Sequence, residues 1–200
     1  MQAQTLLCIQ AHANRLANQR LLAALARLPA FELHAVRPSF FKTLLATLNH
    51  SLMVDQYYIG ALFGDAELSS HWARYVAATE LVTLATAQDS SDQRLITFCQ
   101  TLTETGCDRV VAMPRNAGVV QRDAAAHVLQ HLFMHQTHHR GQVHDMLSGT
   151  AIAPPQLDEF LMPSDAHFRV ADMAALGWAE AAVYGPLRVS PASSQRVGRA

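Results

Sequence analysis

The chain has 200 residues, half of them hydrophobic, which suits one domain with a full core. Its formal net charge of −1 argues against binding to nucleic acid or to an anionic membrane surface. No apolar run reaches the roughly 18 residues that span a bilayer. The three cysteines have no metal-binding spacing and the first residues do not resemble a secretory signal, so we expect reduced thiols and a cytoplasmic location.

Apolar residues recur mainly at spacings of three and four, which predicts a helical chain. We expect an all-α fold, an antiparallel four-helix bundle with a small β-hairpin between the third and fourth helices and an additional C-terminal helix. Residues 1–186 would form this single domain, and residues 187–200 a mobile tail. The first two predicted helices cover about 5–28 and 40–63, and an irregular or partly helical link follows over 65–89. The later predicted elements are a third helix capped by Ser90, Ser91 or Asp92, a hairpin over 109–121, a histidine-rich helix that Asp123 could cap and that ends at Ser148-Gly149, and a last helix over about 164–184.

The second helix, with Ser39 as its candidate N-cap, is apolar nearly all round. One face carries His50 among neighbours that are mostly small or apolar, including Thr47, Val54 and Tyr57. A helix of this kind is central in its fold or shared with a partner, so we expect a homodimer, with a monomer covered by the C-terminal helix as the alternative. The second apolar face consists of Phe41, Leu45, Leu48, Leu52, Ile59 and Phe63.

The most informative segment is the histidine-rich helix that contains H-V-L-Q-H-L-F-M-H-Q-T-H-H-R-G-Q-V-H. Each residue advances about 100° around an α-helix, so the apolar residues define the face that packs into the core. His135 and His139 lie within that face, and Gln142 lies at its edge. Such a pair fits two core imidazoles with hydrogen-bonding partners, or two ligands of one metal ion.

The remaining histidines of this helix lie away from the core face. His131 falls just outside it and His138 further out, so both are expected at the rim of a site, whereas His144 points the opposite way. A third ligand would favour the metal interpretation, and His50 is the candidate. The residues therefore suggest a three-histidine set, with a pocket or outer shell formed by Thr47, Val54, Tyr57, His131, His138 and Gln142; no catalytic residue is assigned.

Three stretches resemble, in the same order, motifs of the DinB/YfiT-like family of damage-inducible-type metalloenzymes: N-R-L-A-N-Q-R-L-L, L-N-H-S-L-M-V-D-Q and H-Q-T-H-H-R-G-Q-V-H. The resemblance implies a four-helix bundle, often dimeric, in which three histidines hold a divalent metal. By motif position these ligands are His50, His135 and His139. The chain departs from the pattern at Leu16, where relatives commonly have Trp, and after Pro163. Arg140 would form an ion pair, buried or between helices.

Three neutral imidazoles leave about one to three coordination positions open, as in catalytic metal sites. Zn or Ni is the expected ion, with Fe and Cu as alternatives. Some relatives that this chain resembles are thiol S-transferases or thiol-dependent isomerases. The resemblance therefore implies a metal-dependent enzyme that acts on small molecules, of the thiol S-transferase type. The alternatives are a non-catalytic, stress-linked metal-binding protein and a metal-assisted hydrolase, which the absence of a carboxylate on the His135 face disfavours.

Overall fold

The computed structural model describes residues 2–115 and 118–185, which are mostly helical with one small β-hairpin. In chain order the elements are α1 (Ala3–Leu25), α2 (Ala30–His34), α3 (Leu44–Phe63), a 3-10 helix (Leu68–Ser70), α4 (His71–Arg74), α5 (Leu81–Thr101), α6 (Glu104–Cys107), β1 (Val110–Pro114), β2 (Val120–Ala124), α7 (Ala125–Ser148), a second 3-10 helix (Pro163–Phe168), α8 (Val170–Ala175) and α9 (Glu180–Tyr184). Within the described residues, none of the helices combines the length and the apolar character needed to cross a bilayer.

Four long helices build the core. α1 contacts α5 and α7, and α3 contacts the same two helices. Each contributes inward-facing leucines that are almost fully buried, among them Leu16, Leu52, Leu95 and Leu132. Burial of this apolar area is the main stabilising contribution to such a fold. The helical fold class is confirmed, as is the hairpin before the last long helix.

The hairpin leads directly into α7. Its strands pair antiparallel with Val111 opposite Asp123, and Val111 and Met113 point into the core while Val110 and Ala112 are exposed. The prediction that Asp123 could cap α7 is wrong, because Asp123 belongs to β2. Among the described residues no side chain caps α7; instead the N–H of Ala125 donates to the carbonyl of Arg109. The hairpin backbone therefore satisfies the first amide of the helix.

α3 begins at Leu44 rather than near residue 40. Thr43, not Ser39, is its N-cap, with Oγ1 accepting a hydrogen bond of 3.1 Å from the backbone N–H three residues later. Lys42 before it has a φ of 67°, a left-handed conformation that non-glycine residues rarely adopt. This turn leaves Phe41 outside the helix and free to fold back over it.

α5 begins at Leu81, so the predicted boundary near residue 89, between an irregular or partly helical link and the third helix, is wrong. The sequence L-V-T-L-A-T-A-Q-D-S-S-D is rich in residues that favour caps and turns, because their side chains compete for backbone hydrogen bonds. Residues 90–92 nevertheless lie in the middle of the helix. Leu84, Gln88 and Asp92 are buried along one face, so tertiary contacts override the local preference.

Most of the second apolar face of α3 is buried within the single chain; the exception is Phe63 at the C-terminal end of the helix, which is 42% exposed. Leu45, Leu48, Leu52 and Ile59 are each less than 9% exposed, and α2 and α5 pack against α3. This face therefore needs no partner, and the homodimer stays a prediction. The alternative that a C-terminal helix covers the face is wrong, since α8 and α9 contact α1 instead.

The single helix predicted over residues 164–184 is wrong, because the structure has three short helical pieces there. This segment is held by an apolar cluster, in which Phe160 and Met173 pack on Leu16 of α1, and by two arginines. Arg20 of α1 forms ion pairs with Glu159 and Asp172, at 2.7 and 2.6 Å. The fully buried Arg169 pairs with Glu180 and donates to two backbone carbonyls. The predicted tail, residues 187–200, lies outside the described residues.

Candidate metal centre

Three histidines from two helices converge at one point. His50 lies on α3, and His135 and His139 are one turn apart on α7. The Nε2 atom of His135 lies 3.3 Å from that of His50 and 3.1 Å from that of His139. The possible ligand atoms of all three lie within 4.8 Å of one another. The expected grouping of these three histidines is therefore confirmed.

The spacing of the three Nε2 atoms fits a metal ion. Imidazole nitrogens at about 2.0–2.1 Å from a tetrahedral ion are about 3.3–3.4 Å apart. The Nδ1 of His139 lies 2.8 Å from Oε1 of Gln142, which is an acceptor, so the proton of that ring is assigned to Nδ1. Its Nε2 therefore presents a lone pair to the other two rings. The Nδ1 of His135 is buried and has no partner among the described residues.

Burial keeps the three imidazoles neutral. Burial, and after it the neighbouring imidazoles His139 and His50, together lower the pKa of His135 to about 3. The pKa of His50 is lowered by burial and then by His139, and that of His139 by burial, opposed by its bond to Gln142. Only the neutral form can donate a lone pair, so the site is set for ligation at neutral pH.

Phe41 covers one side of the cluster, a contact that sequence analysis missed. Its ring stacks on His50 with centroids 4.2 Å apart and meets His139 edge-on at 5.6 Å. A helix starting near residue 40 would turn Phe41 to the opposite face, whereas the left-handed Lys42 returns it to the histidines. The lysine has no sequence signature for that conformation, so nothing local indicated the contact.

The predicted pocket residues of α3 are buried. Thr47 is fully buried, and its hydroxyl donates to the carbonyl of Thr43 at 2.9 Å. Val54 lies in the hydrophobic core, in the same cluster as residues of β1. Tyr57 is fully buried, packs on Trp72 at 4.5 Å and donates to the carbonyl of Pro114. Val54 and Tyr57 thus face the hairpin side of the core rather than the histidines.

The predicted outer residues of α7 surround the cluster. The exposed rings of His131 and His138 lie 6.4 Å from His135 and 4.9 Å from His139, respectively. Gln142 contacts two histidines, with Oε1 near His139 and Nε2 3.2 Å from the Nε2 of His138. These side chains form the exposed rim of the centre.

A buried polar network fixes α7 on its other side. Each residue turns about 100° from the one before, so Arg140 follows His139 but faces α1. Its Nη1 donates to the side-chain oxygens of Asn14 and Asn18, and both asparagines donate to Asp92 on α5. Arg140 thus reaches a carboxylate through two amides, and the expected ion pair is not formed among the described residues.

A second carboxyl belongs to this network. Gln88 donates to both Asp55 and Asp92, at 3.0 and 3.1 Å. Burial raises the pKa of Asp55 to about 6 and that of Asp92 to about 7, while hydrogen bonds and Arg140 oppose the shift. Sequence analysis missed the role of Asp92, which was assigned to a helix cap.

Replacing Gln142 with Leu should weaken metal binding by roughly 10–100-fold, because groups that orient a histidine ligand contribute that much to affinity. Leucine keeps the volume but removes the acceptor for the Nδ1 proton of His139. Competition with a chromogenic chelator measures the change. A variant at exposed Met134, such as Met134→Ala, is the control on the same helix. Unchanged affinity in Gln142→Leu would show that this bond does not orient the ligand.

Comparison with curated proteins gives no match. The model of the DinB family, in contrast, matches residues 1–169. The matched region includes all four long helices, the hairpin and the three converging histidines. The chain therefore belongs to the DinB family.

Proposed function

We propose that His50, His135 and His139 bind one divalent transition metal through their Nε2 atoms, within an antiparallel bundle of α1, α3, α5 and α7. The convergence of three neutral imidazoles at ligand spacing is the observation that carries this proposal. Zn or Ni is the expected ion, because both accept imidazole ligands, with Fe and Cu as alternatives.

We further propose that the protein is an enzyme that transfers a low-molecular-weight thiol to a small electrophile. Three protein ligands leave coordination positions open for a small molecule. Phe41 closes one side, while the half-exposed His50 and His135 and the exposed His131 and His138 leave another side accessible. A divalent cation there lowers the pKa of a ligated thiol, which makes thiolate available at neutral pH.

In this transfer the thiol sulfur forms a bond to a carbon of the electrophile. The leaving group departs with its electron pair, and the thiol proton passes to solvent. The chain contributes fixed lone pairs: Gln142 holds the proton of His139 at Nδ1, so that Nε2 faces the site. Phe41 keeps water away from one face of His50.

Metal-assisted hydrolysis has less support. A hydrolytic site usually has an acid or base beside the activated water. Among the described residues, the nearest buried acids on the long helices, Asp55 and Asp92, are held by Gln88, and Asp92 also by asparagines. The cluster of possible ligand atoms contains no carboxylate among these residues.

Metal analysis of untagged protein, followed by a thiol-consumption screen, tests the proposal. We expect one equivalent of Zn or Ni, and metal-dependent consumption of bacillithiol, mycothiol, glutathione or coenzyme A in the presence of an alkyl or aryl halide. Turnover that is equally fast after chelation would leave the metal a structural role. Stoichiometric metal without any turnover across a broad electrophile set would favour a non-catalytic metal-binding protein.

Metal affinity should fall only at a pH lower than the ordinary titration range of histidine. Protons compete with metal only below the pKa of each ligand, and burial lowers these pKa values from the ordinary value of about 6.5. We therefore expect constant affinity between about pH 8 and pH 6.5, and a steep loss at lower pH. Calorimetric titration with Zn²⁺ across this range measures the profile. A tenfold change above about pH 7 would point to a ligand other than these imidazoles.

A further inference from the structure

A cavity lies beside the metal centre, on the side of His131. It has a volume of about 340 Å³ and lies between the hairpin, α3 and the first turns of α7. We call it the hairpin groove; its polar lining consists of Tyr58, Arg115, Gln121, Asp123, His127 and His131. None of the roles described so far uses this groove.

Arg115 is the cation of the hairpin groove. It lies just after β1, half-buried, with its guanidinium 5.1 Å from the ring of Tyr57 and 5.4 Å from that of Tyr58. Its hydrogen bonds go to neutral acceptors, the hydroxyl of Tyr58 at 2.9 Å and Oε1 of Gln121 at 3.2 Å. No carboxylate among the described residues forms an ion pair with it. The tyrosines thus hold a positive charge in place without neutralising it.

The groove also contains one carboxylate. Asp123 accepts a hydrogen bond of 2.8 Å from Nε2 of Gln121, whose Oε1 accepts from Arg115. Gln121 therefore lies between the two charges and keeps them apart. An anion that binds Arg115 would be repelled to some extent by Asp123. Removing the charge of Asp123 should therefore strengthen anion binding, whereas removing the charge of Arg115 should weaken it.

His131 connects the groove to the metal centre. Its ring lies 5.0 Å from that of Tyr58 inside the groove and 6.4 Å from that of the ligand His135. Both histidines lie on α7, one turn apart, so the exposed side of the metal centre and the groove share a wall. His131 therefore stands between the ligand His135 and Tyr58, which contacts Arg115.

We propose that the hairpin groove is the recognition half of the substrate site, in which Arg115 binds a carboxylate at the far end of the thiol whose sulfur lies at the metal centre. An arginine fork binds a carboxylate with two parallel hydrogen bonds, and its affinity gains from a partly desolvated setting. This inference rests on the proposed function, because it assigns the second attachment point of the same small molecule.

Matched thiols that differ only in the terminal group test the proposal. The protein is loaded with Co²⁺, and the sulfur-to-cobalt absorption band is titrated with 6-mercaptohexanoate and with 6-mercaptohexanol; shorter and longer homologues define the best length. We expect the carboxylate to bind about tenfold more tightly than the alcohol, because a hydrogen bond from arginine to an ionised carboxylate is about twice as strong as one to a neutral group.

Three variants locate the source of this preference. Arg115→Gln should abolish it while leaving the affinity for 6-mercaptohexanol unchanged. Asp123→Asn should increase it, because the repulsion of the carboxylate is removed. Arg122→Gln, which makes the same charge change at an exposed position on β2, should leave it unchanged. Circular dichroism establishes that each variant is folded.

The possible failures are distinguishable. If both thiols give the band with equal affinity in the parent protein, or if Arg115→Gln retains the preference, the role of Arg115 is wrong while the thiol proposal stands. If neither thiol gives a sulfur-to-cobalt band, the proposed thiol function is wrong, and the role of Arg115 is overturned with it.

Discussion

Replacement of His139 with alanine is expected to lower the affinity for Zn²⁺ by about a thousandfold or more, since groups that merely orient a ligand already contribute roughly 10–100-fold. The substitution removes one of three converging nitrogens and leaves the other two too few to hold the ion. His50→Ala and His135→Ala should behave alike. Elemental analysis after desalting, together with chelator competition, measures the loss.

The other histidines of α7 supply matched controls. His138→Ala and His144→Ala remove the same side chain from the same helix, and the ring of His144 contacts the carbonyl of Pro155 instead of the centre. Both variants should retain one equivalent of metal. A folded His139→Ala protein with full metal content would contradict the assignment of the ligands.

Replacement of Arg140 with leucine is expected to destabilise the protein by about 3–5 kcal/mol at neutral pH, the usual cost of leaving a buried charge without its partner. The variant deprives Asn14 and Asn18 of their donor and leaves Asp55 and Asp92 without the cation that opposes their burial. Denaturant unfolding of the metal-free protein measures the loss.

The loss should be larger at high pH. Burial raises the folded-state pKa of Asp55 to about 6 and of Asp92 to about 7, above the unfolded value of about 3.9. Carboxyls with a raised folded-state pKa stabilise the folded protein fully when the pH is below their pKa in the unfolded state. This stabilisation is lost as the pH rises through their pKa in the folded state. Without Arg140 both carboxyls ionise less readily, so the variant should be less destabilised at pH 5 than at pH 8, by about 1–2 kcal/mol.

A second substitution distinguishes this mechanism from a simple packing defect. Asp92→Asn in the Arg140→Leu background removes one of the two carboxyls and retains a side chain that can bond to the asparagines. It should recover part of the lost stability at pH 8. An equal loss at both pH values, with no recovery in the double variant, would indicate that packing rather than charge is responsible.

The metal centre could be predicted because its signal is periodic. α7 is long, its apolar positions repeat at helical spacing, and the angular positions of His135 and His139 follow from that repeat alone. His50 was accessible in a similar way, as a polar residue within an apolar helix. The prediction required only the knowledge of which residues share one face of a helix, and helix geometry gives that directly.

The surroundings of the centre could not be predicted, since they depend on contacts between distant segments. Asp92 resembles a helix cap until Asn14 and Asn18, more than 70 residues earlier, are seen to bind it. Phe41 reaches His50 only through a left-handed residue that nothing in the sequence marks. Arg115, just after β1, donates to the hydroxyl of Tyr58 on α3. The sequence located the ends of the hairpin strands only approximately, so this contact could not be predicted.

The attachment of the C-terminal segment bears on how sequences related to this one should be compared. The side-chain bonds of Arg20 and Arg169 tie this segment to α1 and to itself, whereas the three histidines lie on α3 and α7. The segment therefore has to keep only a few ion pairs and the apolar side chains that pack on α1. Many different sequences can provide both. Divergence among relatives after Pro163 should accumulate freely, and it carries little information about whether their chemistry has changed.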